Sequence, residues 1–118
     1  MLIGCPKEIK NHEYRVGLTP ASVRELTEHG HQVLVQAGAG AAIGLSDEQY
    51  KAAGATLAAE AKEIFAKAEM IVKVKEPQPQ ECAMLRPGQI LYTYLHLAPD
   101  PDQTAALLKS GARSKSVV

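Results

Sequence analysis

Arg15, Lys75 and His96 have complementary chemistry, and each follows or ends a predicted strand. Arginine presents a planar fork of donors that suits a carboxylate. Lysine supplies a cationic donor that binds a carboxylate or polarises a carbonyl oxygen. Histidine titrates near neutral pH and transfers protons. Together these side chains suit a small oxo acid or amino acid as ligand. A lone histidine is more often structural, so His96 supports this interpretation only in combination with the other two.

The elements that must position these residues follow from the hydrophobic pattern. Apolar and β-branched runs predict strands at residues 2–5, 31–37, 70–75 and 89–96. Helix-start signals and helical spacing predict helices at residues 20–29, 46–53, 58–67, 79–86 and 100–110. Strands alternating with helices indicate an α/β fold, a parallel sheet flanked by helices in a Rossmann-like or flavodoxin-like three-layer domain. All strands of such a sheet end at one edge, so the three candidate residues share it.

Residues 7–19 form an unusually long connection between the first strand and the first helix. Such connections usually need about 2–6 residues, and much longer ones are often functional. The segment carries Glu8 and Arg15 among its charges, but also Val16 and Leu18, which can pack. A packed, charged loop at the carboxyl end of a strand is typical of an α/β active site. A solvated loop with surface ion pairs explains the charges equally well.

Gly38, Gly40 and Gly44 superficially suggest a dinucleotide fingerprint. The fingerprint places two residues between its second and third glycines, whereas three stand here. The following helix also has its own capping box, formed by Ser46 and Gln49. A tight glycine loop is therefore the better interpretation, and we expect no cofactor-binding residues in this chain.

Composition excludes several functional classes. The formal net charge is zero, which gives no electrostatic support for a nucleic-acid or anionic-membrane partner. Apolar runs fall short of a membrane span or a signal peptide. Cys5 and Cys82 stand alone without a C-x-x-C motif, which suits a reducing cytoplasm. We find no trustworthy metal-ligand spacing, and no serine stands in a nucleophile-elbow context.

Four segments closely resemble the alanine dehydrogenase and nicotinamide nucleotide transhydrogenase α-subunit family. In order and spacing they are G-C-P-K-E-I-K-N-H-E-Y-R-V-G-L-T-P at 4–20, H-G-H-Q-V-L-V-Q-A-G-A-G at 29–40, K-V-K-E-P at 73–77, and G-Q-I-L-Y-T-Y-L-H-L-A at 88–98. The resemblance favours the alanine dehydrogenase branch, because Arg15, Lys75 and His96 fall on its substrate and catalytic positions.

The resemblance implies oxidation of L-alanine with NAD and water to pyruvate, ammonium and NADH. Arg15 would hold the substrate carboxylate, and Lys75 would contact the carboxylate or the carbonyl oxygen. His96 would act as acid and base during imine formation and hydrolysis. Glu8 and Tyr94 are second-tier candidates, for positioning only. The family is cytoplasmic and commonly hexameric, so the resemblance also implies a homo-oligomer and a small-molecule partner.

The resemblance covers residues 1–111, interpreted as the N-terminal part of a substrate domain, whereas 112–118 do not match the family pattern. The NAD-binding domain, with its glycine fingerprint, is absent from this sequence. We therefore expect this chain alone not to oxidise L-alanine. Two alternatives stay open: the N-terminal segment of a transhydrogenase α-subunit, and a non-catalytic oligomerisation or binding module.

Overall fold

The structure is a computed structural model that describes residues 1–95, 97 and 99–116. Its strands are β1 Leu2–Cys5, β2 Gln32–Gln36, β3 Thr56–Ala58, β4 Met70–Val72, β5 Ile90–Thr93 and β6 Arg113–Ser116. Its helices are α1 Pro20–Glu28, α2 Asp47–Ala52, α3 Ala61–Lys67, α4 Pro79–Cys82 and α5 Pro101–Ser110. Within these described ranges, every helix is too short or too polar to cross a membrane.

The described strands form one parallel sheet in the order β3-β2-β1-β4-β5-β6. Gly4 of the central strand β1 pairs with Leu34 on one side and with Ile71 on the other. The winding direction of the chain reverses between β1 and β4. Open α/β sheets bind ligands beyond the carboxyl ends of their strands at this kind of reversal. The predicted α/β fold with a parallel sheet is confirmed.

Helix boundaries follow the local signals in the sequence. The Thr19 side chain caps α1, and Pro20 occupies the first helical position, where its missing N–H costs nothing. Ser46 and Gln49 form a reciprocal capping box at α2. Gly111 ends α5 in the left-handed conformation, with φ of 72°. These starts and stops set the lengths of the crossovers between strands.

Alternate strand residues fill two hydrophobic clusters on opposite faces of the sheet. Val33 and Val35 join the cluster covered by α1 and α2, whereas Leu34 joins the cluster covered by α3, α4 and α5. Gly4 is required where α3 approaches the sheet, because a Cβ atom there would lie 2.4 Å from Cγ2 of Ile64. A sheet buried on both faces explains the continuous apolar runs of its central strands.

The structure corrects the predicted elements in several places. Thr56–Ala58 forms the edge strand β3, so α3 begins at Ala61 rather than at residue 58. The polar segment Arg113–Ser116, for which the sequence predicts no helix or strand, forms β6 by pairing with β5. β4 ends at Val72, three residues earlier than predicted. Pairing with an existing sheet determines the two edge strands, since neither has a strong local pattern.

Candidate active site

The loop at residues 7–19 is packed onto the carboxyl edge of the sheet. Val16 and Leu18 are buried, and the Tyr50 hydroxyl donates a 2.6 Å hydrogen bond to the Leu18 carbonyl. Gly17 lies so close to β4 that a Cβ atom there would meet the Val72 carbonyl oxygen at 2.6 Å. These contacts hold the loop against the end of β4. A freely solvated loop, the alternative left open by the sequence, does not fit this packing.

Arg15 lies on this loop with its side chain 61% exposed. Its Nε donates to Glu13 Oε2 at 2.9 Å, and its Nη2 donates to Glu13 Oε1 at 2.7 Å. The hydrogen bond from Arg15 lowers the pKa of the Glu13 carboxyl from 4.5 to about 2. Glu13 therefore stays ionised at neutral pH and holds one side of the guanidinium. The Nη1 edge is not used by this pair and is left for a further acceptor.

Lys75 lies on the same edge of the sheet, near the Glu13 carboxylate that holds Arg15. The charges of Arg15 and Lys75 both act to lower the pKa of Glu13. Glu8 and Tyr94 in turn act to raise the pKa of Arg15, after the dominant effect of Glu13. The structure thus brings four of the predicted site residues together. His96, the fifth, lies outside the described residues.

A buried ion triad lies beneath this edge and was not predicted from the sequence. Lys73 Nζ lies 3.0 Å from Glu8 Oε1 and 3.1 Å from Glu81 Oε2. The three side chains are 1–2% exposed. Burial raises the pKa of the Glu81 carboxyl, and the charge of Lys73 opposes that rise. β4 ends at Val72, before Lys73 and Lys75, so the alternation of side chains along a strand does not extend to these two residues.

The Glu8 carboxylate and the Thr93 hydroxyl form hydrogen bonds with the backbone segment that carries Lys75. Glu8 accepts hydrogen bonds from the N–H groups of Val74, at 3.0 Å, and Lys75, at 3.1 Å. Thr93 Oγ1 lies 3.2 Å from the Val74 carbonyl oxygen and 2.9 Å from that of Lys75, and donates toward both. Glu8, which follows β1, and Thr93 of β5 thereby supply hydrogen-bond partners to a backbone segment that lies beyond the end of β4.

A second ion pair borders the same region. Lys10 is hydrogen-bonded to Glu76, directly after Lys75 in the chain. Burial has the largest single effect and acts to raise the pKa of Glu76, but the Lys10 hydrogen bond, a backbone hydrogen bond and the charges of Lys10 and Lys75 together outweigh it, so this pKa is lowered. Acidic and basic side chains therefore lie along the carboxyl edge, and acidic residues flank Lys75.

An open cleft of about 390 Å³ lies beside Arg15, between loop residues 7–15 and the side chains of Ala39 and Ala42. Lys75 does not line it, so the cleft adjoins the Arg15–Lys75 pair rather than enclosing it. Among the described residues, no group of three or more His, Cys, Asp or Glu side chains is arranged to hold a metal ion.

The glycine loop beside this cleft does not fit a dinucleotide cradle. The Gly38 N–H already donates to Asp47 Oδ1 at 2.9 Å, in place of a phosphate oxygen. Gly40 packs inward, because a Cβ atom there would lie 2.8 Å from the Leu45 side chain. The loop passes through a short 3-10 helix, Ala41–Ile43, before α2 begins with its own cap.

Sequence reasoning missed Glu13, Lys73, Glu81 and Thr93 as parts of this edge. Glu13 carried a usable signal, since it precedes Arg15 by two residues and can fold back onto it. The contact between Lys73 and Glu8 joins residues 65 apart in the chain, so only the assembled sheet reveals it.

Comparison with known proteins matches the chain to one family. The family model described as "Alanine dehydrogenase/PNT, N-terminal domain" matches residues 4–117. Alanine dehydrogenase of Halomonas elongata is 56% identical over 112 residues, covering 95% of this chain and 30% of that protein. A solved L-alanine dehydrogenase superposes with a TM-score of 0.95 at 46% identity, covering 98% of this chain and 32% of the other. A transhydrogenase from Sinorhizobium meliloti superposes with a TM-score of 0.91 at 28% identity, covering 98% and 34%. The chain thus spans about a third of the length of these proteins.

Proposed function

This chain belongs to the alanine dehydrogenase/PNT N-terminal domain family, and from that premise we propose that it is the substrate-binding part of an NAD-dependent alanine dehydrogenase. The complete enzyme would convert L-alanine, NAD and water to pyruvate, ammonium and NADH. Residues 1–111 would supply the N-terminal part of its substrate domain. The observation that supports the proposal is that the charges of Arg15 and Lys75 both act on Glu13 at the carboxyl edge, where the winding of the sheet reverses.

Arg15 is proposed to bind the substrate carboxylate through the guanidinium edge that Glu13 leaves free. A planar guanidinium held on one side by a carboxylate is already oriented, so little side-chain entropy is lost when the ligand binds. Lys75 would place its ammonium group against the carboxylate or the carbonyl oxygen of pyruvate. In that position it would stabilise negative charge as it develops on the oxygen.

His96 is proposed as the general acid and base for the carbonyl oxygen, since imine formation and hydrolysis both require proton transfer there. Glu8 and Tyr94 are proposed as positioning residues. Their support differs: Glu8 accepts the Lys75 N–H at 3.1 Å, whereas Tyr94 lies near enough to Arg15 to affect the pKa of its guanidinium.

We propose that NAD binds to a part of the enzyme outside these 118 residues. The occupied N–H of Gly38 and the inward packing of Gly40 support this assignment. The chain alone should then produce no NADH from L-alanine above a buffer control. Turnover by the purified chain would contradict the proposal that the cofactor site lies elsewhere.

The substrate-binding proposal is tested by titrating pyruvate into the ¹⁵N-labelled chain. We expect weak, saturable shifts for the wild type and their loss in Arg15→Ala. Arg24→Ala is the matched control, because Arg24 is an exposed arginine on α1 whose loss should leave binding unchanged. Equal shifts in wild type and Arg15→Ala would count against the proposed pocket.

A transhydrogenase α-subunit segment is the second candidate, and the TM-score of 0.91 to such a protein is what favours it. A transhydrogenase does not need an amino-acid pocket, so absence of pyruvate binding together with an intact fold would favour this candidate. A non-catalytic oligomerisation module is the third, and a clearly monomeric chain by light scattering would count against it.

For the complete enzyme we propose a cytoplasmic location and a homo-hexameric assembly. Two buried free thiols, Cys5 and Cys82, support a reducing compartment. Several large apolar side chains are exposed, with Leu108 at 79%, which supports further association of this surface. Light scattering of the complete enzyme measures the assembly, and a stable monomer would contradict it.

A further inference from the structure

We propose that Lys73, Glu81 and Thr93 form a buried positioning network that fixes the Lys75 ammonium group relative to Arg15. This inference rests on the proposed function, because it assigns Lys75 to the substrate. None of the three is proposed to touch the ligand. Thr93 is fully buried, and the Lys73 and Glu81 side chains are 1–2% exposed, so all three act through the backbone that they support.

Lys75 lies beyond the regular sheet. β4 ends at Val72, and the next residues have no strand conformation. A backbone that has left the sheet must find other hydrogen-bond partners when it is partly buried. Here most of the partners are side chains: the Glu8 carboxylate accepts both the Val74 and the Lys75 N–H groups, and the Thr93 hydroxyl lies against both carbonyls. The Val74 carbonyl also accepts the backbone N–H of Tyr94 at 3.3 Å.

Glu8 is itself held in place by Lys73. Lys73 Nζ donates to Glu8 Oε1 at 3.0 Å, on the same oxygen that accepts the Lys75 N–H. Glu81 also contacts the Lys73 ammonium group, with Oε2 at 3.1 Å, and its other oxygen accepts the Gln78 N–H at 2.9 Å, which caps α4. The network therefore links α4, the segment after β4 and the loop after β1.

The same network fixes the position of Lys75 relative to Arg15. Glu8 and Arg15 belong to one loop, and Gly17 of that loop packs against Val72. Loss of the Thr93 hydroxyl would remove the partner of the Lys75 carbonyl, whereas the Val74 carbonyl keeps the Tyr94 N–H, and neither ligand-binding side chain would be altered. Removal of one such bond should weaken ligand binding by about three- to tenfold, while the fold is retained.

The test compares Thr93→Val with Thr93→Ser in the complete chain. Valine keeps the shape of threonine and removes the hydroxyl, whereas serine keeps the hydroxyl. Pyruvate affinity, followed by NMR, should fall about three- to tenfold in Thr93→Val and recover in Thr93→Ser. Thr27→Val is the matched control, since it removes a hydroxyl whose partners, the carbonyls of Arg24 and Ala53, lie away from the site. Equal affinity in wild type and Thr93→Val would overturn the inference.

Hydrogen exchange separates this inference from the proposed function. The Val74 and Lys75 amides should exchange slowly in the wild type and at least severalfold faster in Thr93→Val. Glu8→Gln is a second variant of the same size and should expose these amides similarly. If the wild type binds no pyruvate, the proposed function is wrong, but the exchange rates still test whether the network holds the Val74 and Lys75 amides. Fast exchange of both amides in the wild type would overturn the network regardless of binding.

Discussion

Lys73→Met should destabilise this protein more than any exposed lysine substitution, because it leaves two buried carboxylates without their cation. Glu8 and Glu81 are 1–2% exposed as side chains, and Lys73 contacts both. Removal of one partner from a buried ion pair costs about 3–5 kcal/mol. Domains of this size are stable by about 5–15 kcal/mol, so the loss is a large share of the total. With a urea slope of about 2 kcal/mol per M, the midpoint should fall by about 2 M.

The loss should also depend on pH in a defined direction. Burial raises the pKa of Glu81 above its ordinary 4.5, and Lys73 opposes that rise. Without Lys73 the pKa rises further, so the folded state binds more protons than the unfolded chain between pH 4.5 and the raised value. Stability in that window increases as pH falls. The loss of unfolding free energy in Lys73→Met should therefore be largest at neutral pH and become smaller as the pH approaches the ordinary carboxyl pKa.

Urea unfolding followed by circular dichroism, at several pH values, measures both effects. Lys75→Met is the matched control, since it makes the same replacement two residues away on a partly exposed side chain. Its cost should stay below about 1 kcal/mol. Equal stability of the two variants at neutral pH would refute the reasoning. A deficit in Lys73→Met that does not change with pH would refute the role assigned to the Glu81 charge.

Three further outcomes follow from individual contacts. Tyr50→Phe should lower the free energy of unfolding by about 1–2 kcal/mol, since it leaves the buried Leu18 carbonyl unpaired; unchanged stability in urea would contradict this. The Glu13 carboxyl should titrate near pH 2 by NMR, so that its pairing with Arg15 is present above pH 4.5 and is lost as pH falls through 2; in Arg15→Ala its pKa should return toward 4.5. Burial raises the pKa of the Cys5 thiol to about 12, so iodoacetamide should modify it only after unfolding, and rapid labelling of the native chain would contradict its burial.

Most of the sheet could be predicted because its central strands are buried on both faces. Such strands form short apolar runs, as in Val33–Val35, that stand out between helix caps. Edge strands lack this pattern. Thr56–Ala58 is only three residues long, and Arg113–Ser116 is polar, so both depend on pairing with the neighbouring strand. Their backbone hydrogen bonds come from tertiary contacts that local sequence does not encode.

The carboxyl edge could be predicted in outline but not in its supporting contacts. Parallel topology alone places residues following different strands at one edge, which accounts for Arg15 and Lys75. The direction of each side chain was beyond sequence reasoning, because β4 ends before Lys73 and strand alternation ceases there. Burial of Lys73 between Glu8 and Glu81 depends on contacts between distant segments, and a lysine at a strand end is ordinarily solvated.

If Arg15 and Lys75 together bind the carboxylate of a small oxo acid, a matched pair of ligands with and without that carboxylate should behave differently. Pyruvate and its methyl ester share the ketone, but only pyruvate carries the charge that both cations would recognise. In ¹⁵N NMR spectra, pyruvate should shift the amide signals around Arg15 and Lys75 together, and methyl pyruvate should leave them in place. Equal shifts from both ligands, or pyruvate shifts confined to another part of the chain, would contradict the account.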